Sequence, residues 1–230
     1  MIEVIGAKLE RPDSDGDISP ELKIEFKNES ERPIEFLSSK VLIFNDNGLL
    51  ISSSNDENDD FIEPGDIWPG DLSPGYFNSS MVSGETPKGL LEILGCACNH
   101  HELGAFELEP QKLAGIGERR ELGDGISLVS LTVSVSKPDD DGDLNVEIKA
   151  LLDNSGSISL PRASLSGKIL RSGREVEDLS NYSDPVPAGQ MTVLEVSSYV
   201  KKRQISGASI EIRLSLFPII AREVKEVSFE

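Results

Sequence analysis

The sequence predicts an all-β chain folded as two antiparallel β-sandwich domains in tandem. Three observations carry this reading. Apolar and polar residues alternate with a period of two, turn signals return about every 8 to 12 residues, and parts of the first half recur in the second. No segment keeps a helical apolar stripe for more than two turns.

The repeat organises the 230 residues. RPDSDGDIS (11–19) returns as KPDDDGDLN (137–145), and the same offset of 126 carries LKIEFKNES (22–30) onto IKALLDNSG (148–156). Later the match resumes at a shorter offset, with NSSMV (78–82) set against VSSYV (196–200), and GLLEI from Gly89 against GASIEI from Gly207. Two copies in one order mean a duplication. The expected domains are 1–109 and 127–230, joined by a Gly-containing linker over 110–126 that lacks strand alternation.

Within the copies the alternation is explicit. Leu22, Ile24 and Phe26 alternate with Lys23, Glu25 and Lys27; Leu131, Val133 and Val135 with Thr132, Ser134 and Ser136. Near the end Ile210, Ile212, Leu214 and Leu216 alternate with Glu211, Arg213 and Ser215. Side chains on a strand point to opposite faces in turn, so each run buries one face. The tetrapeptides SDGD, NDNG, EPGD and WPGD, then DDGD, DNSG, RSGR and PAGQ, supply the turns between them.

The order of these parts resembles bacterial immunoglobulin-like or fibronectin-like sandwiches, particularly the FxLYD type. VLIFNDNGLLIS (41–52) and WPGD (68–71) carry the likeness. It implies two tandem immunoglobulin-like antiparallel β-sandwich domains and no particular activity, because the shared features are turns rather than site residues.

Charge narrows the function. The net charge is −19, which argues against nucleic-acid phosphates and anionic membrane surfaces as partners. Residues 1–109 hold 7 Lys and Arg against 23 Asp and Glu, whereas 127–230 hold 12 against 15, so the acidity belongs to the first copy. No apolar run reaches the length of a membrane span, and the first residues lack the pattern of a signal peptide. Two cysteines make no disulfide framework. The expected setting is the cytoplasm.

Three segments are candidate sites. GCACNHH places Cys96, Cys98, His100 and His101 within six residues. Thiolate and imidazole ligands suit zinc or copper. The C-x-C spacing on a strand is wide for one ion, and it strains a Cys96–Cys98 disulfide. If Ile93 corresponds to Ile212, Gly95 and Ala97 face the core and both cysteines face outward; a slip of one residue buries the cysteines instead. A Cys–His nucleophile needs a base aimed at the sulfur and oriented by a third polar group, an alignment that neighbours on one strand and its turn seldom provide.

The duplicated PDxDGD turns offer Asp13, Asp15 and Asp17, then Asp139, Asp141 and Asp143, as calcium ligands. Their Gly is misplaced for an EF-hand, and Asp-Gly between alternating runs is foremost a hairpin signal. The third segment, 52–71, presents Asp56, Glu57, Asp59, Asp60, Glu63 and Trp68. It reads as a calcium collector, as a partner-binding surface, or as a solvated loop. Lys201-Lys202-Arg203 reads as a solvated turn, and no nucleotide-binding or hydrolase motif is present.

The resulting expectation is a non-enzymatic interaction protein, adaptor- or inhibitor-like, whose acidic first domain meets a basic protein partner. No cofactor is expected. The alternative is a metal-binding or redox-sensing protein using the Cys/His cluster.

Overall fold

Alternation sets the strands, and the two faces of each strand settle which side chains enter a core. The computed structural model describes residues 1–82, 86–180 and 184–229. The chain is almost entirely antiparallel β and divides into two compact units: Met1–Ala97 with Ile219–Glu230, and Cys98–Pro218.

The first unit begins with β1 (Ile2–Leu9), β2 (Asp17–Ile18), β3 (Pro20–Lys27) and β4 (Phe36–Phe44). It continues through β5 (Leu50–Asn58), β6 (Ile67–Leu72), β7 (Phe77–Asn78) and β8 (Lys88–Cys96). The second contains β9 (Asn99–Glu107), β10 (Leu113–Ile116), β11 (Arg120–Gly123) and β12 (Ile126–Val135). There follow β13 (Asp143–Asn154), β14 (Leu160–Arg171), β15 (Arg174–Ser180), β16 (Asp184–Val186) and β17 (Gln190–Lys201). A one-turn helix, α1 (Lys202–Ile205), and β18 (Ala208–Phe217) complete it; β19 (Ile219–Ser228) belongs to the first unit again.

The first unit closes a core between sheet β1-β3-β6 and sheet β19-β8-β4-β5. Ile24 and Phe26 from one sheet meet Val41, Ile43, Leu91 and Ile93 from the other. The second unit does the same between β10-β12-β13-β17 and β15-β14-β18-β9. Each fully buried Leu, Ile or Phe contributes roughly 1.5–3 kcal/mol relative to exposure.

Two local devices occur in both units. Asp13 Oδ1 accepts the backbone N–H of Asp15 and Asp17 at 2.9 Å each, while Gly16 takes φ 82°. Asp139 Oδ1 accepts from Asp141 and Asp143 at 3.0 and 2.8 Å, with Gly142 at φ 77°. An L side chain resists that φ, so the glycine completes the turn. The second device is a buried asparagine. Asn28 donates to Arg32 O and Ile62 O at 2.9 Å each; Asn154 donates to Ile158 O and Val186 O at the same distances.

Several expectations differ from what is observed. Leu113–Ile116 and Arg120–Gly123, inside the expected linker, are strands paired to β12. The compact units therefore break at residues 97 and 218 rather than at 109 and 126. The match of NSSMV to VSSYV also shifts. Asp17 pairs with Asn78 and Ile18 with Phe77, as Asp143 pairs with Lys201 and Leu144 with Val200. Phe77 thus answers to Val200, and the 3-10 turn Ser79–Met81 to the helix Lys202–Ile205.

Candidate functional site

The acidic segment 52–71 is largely strand. Residues 52–58 are polar and mostly poor strand formers, yet they bond along β4, with Ser38 opposite Glu57 and Ser39 opposite Asp56. This makes β5 one outer strand of its sheet, and β6 is an outer strand of the facing sheet. Between them lies a groove of about 470 Å³, lined among others by Asp56, Glu57, Asp60, Trp68 and Asp71.

Trp68 is held on two sides. Its ring lies over Gly70, where a Cβ would fall 2.4 Å from Trp68 Cζ3, so only glycine leaves that space. Its indole N–H donates to Asp60 Oδ2 at 2.8 Å, and the Asp60 amide donates to Asn58 Oδ1 at 2.8 Å. The groove's negative charge is lightly countered: Lys23 Nζ stands 3.8 Å from Asp71, with both side chains largely exposed. Glu63 sits outside this lining, in the exposed turn before β6. Among the described residues, none of Asp56, Glu57, Asp59 or Asp60 joins a cluster of three close metal ligands.

The Cys/His cluster is dispersed by the fold. Along β8, Gly89, Leu91, Ile93 and Gly95 face the core, in keeping with the outward register for the cysteines. The parity then fails at the strand end, because Cys96 is also fully buried. Burial pushes its thiol up to about 12, which removes thiolate character near neutral pH. Cys98 and both histidines belong to the second unit. There Cys98 Sγ lies 3.5 Å from His100 Nδ1, and His100 Nδ1 lies 2.9 Å from Ser215 Oγ across the β9–β18 ladder.

His101 is the next residue on the strand and takes the other face. Burial, then the Arg120 charge, then His100 lower its pKa below the ordinary imidazole value, so it is neutral near pH 7. Cys98 and His100 can together offer two soft ligands. Cys96, as a buried protonated thiol, is a poor third.

The aspartates of the repeated turns have structural employment. Asp13 and Asp139 hold backbone amides; Asp17 accepts from Asn78 at 3.1 Å, and Asp143 pairs with Lys201 at 2.7 Å. Among the described residues, neither triad brings three ligand atoms close together. The contribution of the buried asparagines was not read from the sequence, although the shared N-x-S and N-S-G spacing at strand ends was its trace.

No family model matches the chain, and no curated protein matches it in sequence. Among solved structures, red sea bream transglutaminase aligns over 100% of this chain at 10% identity and a TM-score of 0.23. The C-terminal globular domain of an oligosaccharyltransferase from Pyrococcus abyssi aligns over 100% at 9% identity and a TM-score of 0.23. The chain spans 31% of the first and 48% of the second. Likeness at that distance carries no argument about activity. Among the described residues, no helix is long and apolar enough to cross a membrane.

Proposed function

We propose that this protein is a non-enzymatic binding protein that presents the acidic face of its first unit to a basic protein partner. One observation carries the reading: four carboxylates and the chain's single tryptophan line one groove between two outer strands. Such strands leave backbone N–H and C=O groups that an extended segment can pair with, and aromatic residues are frequent anchors of interfaces. Opposite charge adds steering and selects against acidic competitors. In the cytoplasmic setting proposed here, Cys96 and Cys98 are thiols rather than a disulfide.

Calorimetric titration with a Lys-rich extended peptide tests this. Binding is expected at low salt, weakening as salt rises, and reduced at least tenfold by Asp56→Asn with Glu57→Gln. Equal binding by that double variant would refute the assignment of the groove.

A second reading rests on the 3.5 Å approach of Cys98 Sγ to His100 Nδ1. The pair would supply half of a tetrahedral zinc or copper set. Elemental analysis after zinc loading and dialysis tests it: one ion per chain, lost in Cys98→Ser, supports the reading, and no retained ion removes it.

A further inference from the structure

We propose that β19 is a donated strand, and that a second copy of this chain can supply it, giving a dimer in which each first unit is closed by its partner's residues 219–229. The exchange is already present within the single chain. β9 follows β8 after two residues yet pairs with β18 in the second unit; β19 follows β18 after one residue yet pairs with β8 in the first. Strands so close in sequence ordinarily close a hairpin on each other. Here neither does, and each unit is completed by a strand from the opposite copy of the repeat.

The junction before β19 favours the open arrangement. It is the single residue Pro218, between Phe217 and Ile219. Proline fixes its own φ and pushes the preceding residue toward extended backbone, which disfavours a tight turn between β18 and β19. The slot that receives the arm is shaped by glycine. A Cβ on Gly89 would lie 2.9 Å from Phe229 Cε2 and 3.2 Å from Val227 Cβ, and one on Gly95 would lie 3.3 Å from Ala221 Cβ.

The arm is held by its ladder along β8 and by few fully buried side chains. Val227 and Phe229 are its buried side chains, and the rest of β19 is exposed or half-exposed. Arg222 pairs with Glu92 at 2.8 Å, and Lys225 Nζ donates to Ile2 O at 2.9 Å. All of these contacts are the same whether the arm comes from the same chain or from another. The balance is therefore set by the junction and by protein concentration, the condition under which exchange gives dimers.

The test uses Val224 and Glu92, which stand opposite each other across β8 and β19. Two full-length chains are made, both with Cys98→Ser, one carrying Glu92→Cys and the other Val224→Cys. They are unfolded, mixed and refolded together at high concentration under oxidation. A heterodimer bonded through positions 92 and 224 is the expected product, its yield falling when refolding and oxidation are carried out at lower protein concentration. A single chain carrying both Glu92→Cys and Val224→Cys should bond within itself when dilute, which checks that the positions can be bridged. An internal bond there with no heterodimer at any concentration would overturn the proposal. Independently of any variant, the unsubstituted chain refolded at high concentration should show a dimer by light scattering, and a monomer throughout would overturn it equally.

Discussion

In the first unit Asn28 ties β3 to the carbonyls of Arg32 and Ile62; in the second Asn154 ties β13 to those of Ile158 and Val186. The turns capped by Asp13 and Asp139 match bond for bond. The surfaces diverge. The first unit carries 9 Lys and Arg against 23 Asp and Glu, the second 13 against 18. In the second unit, Glu175 meets Lys168 at 3.0 Å and Glu195 meets Lys149 at 3.3 Å. In the first unit's groove, the ion pair is Lys23 with Asp71 at 3.8 Å. Where β3 sets Trp68 opposite Phe26, β13 sets Thr192 opposite Leu152. A shared frame of turns and buried amides thus leaves the outer strands free to differ, and it is there that a specific function has room to arise.

The sharpest way to break this comparison is to remove the buried amides. Asn28→Ala removes two bonds donated to carbonyls and the acceptor of the Ser30 amide and hydroxyl. Asn154→Ala removes two donated bonds and the acceptor of the Gly156 amide, and the cost is about 3 kcal/mol per substitution. Urea unfolding should give the same loss within about 1 kcal/mol for both. A cost confined to one unit would show that the frame is not equivalent. Next in size are the turn caps. Asp13→Ala and Asp139→Ala should each lose about 1 kcal/mol by the same measurement, since each removes one capping acceptor.

Two titratable groups shifted by burial, Cys96 in the first unit and His101 in the second, let pH separate the units. His101 has a folded pKa below its ordinary value, so below about pH 6.5 the unfolded chain binds more protons than the folded one. Stability contributed by neutral His101 is present above that pH and falls as pH drops through it. The melting temperature of the wild type should decline more over that window than that of His101→Gln. Cys96 has the opposite sign: with its thiol raised from 9.0 to about 12, stability falls as pH rises between those values. At pH 8 a thiol reagent should label Cys98 in the native protein and both cysteines only after unfolding.

Much of the frame was legible in the sequence because period-two alternation and Asp-Gly turns are local signals. The linker misled for a physical reason. Gly115 looks like flexibility, but a Cβ there would fall 1.9 Å from Leu131 O, so the glycine permits close strand pairing. β5 was hidden because Ser, Asn and Asp are weak strand formers, and pairing to β4 overrides their preference. Strand exchange leaves no mark at all on alternation, since β9 and β19 read alike whether they close a hairpin or cross to the other copy. Cys96 escaped the parity argument because three consecutive residues, Gly95, Cys96 and Ala97, are buried where β8 ends.

The most direct test of the central claim uses Trp68, the chain's single tryptophan, which sits in the acidic groove. Its fluorescence is followed while a Lys-rich extended peptide is titrated into the full-length protein. A saturable change in emission that weakens with salt, and that is lost in Asp56→Asn with Glu57→Gln, is the predicted result. An emission that does not change while the peptide binds elsewhere, or that changes equally in the double variant, would contradict a function seated on the first unit's outer strands.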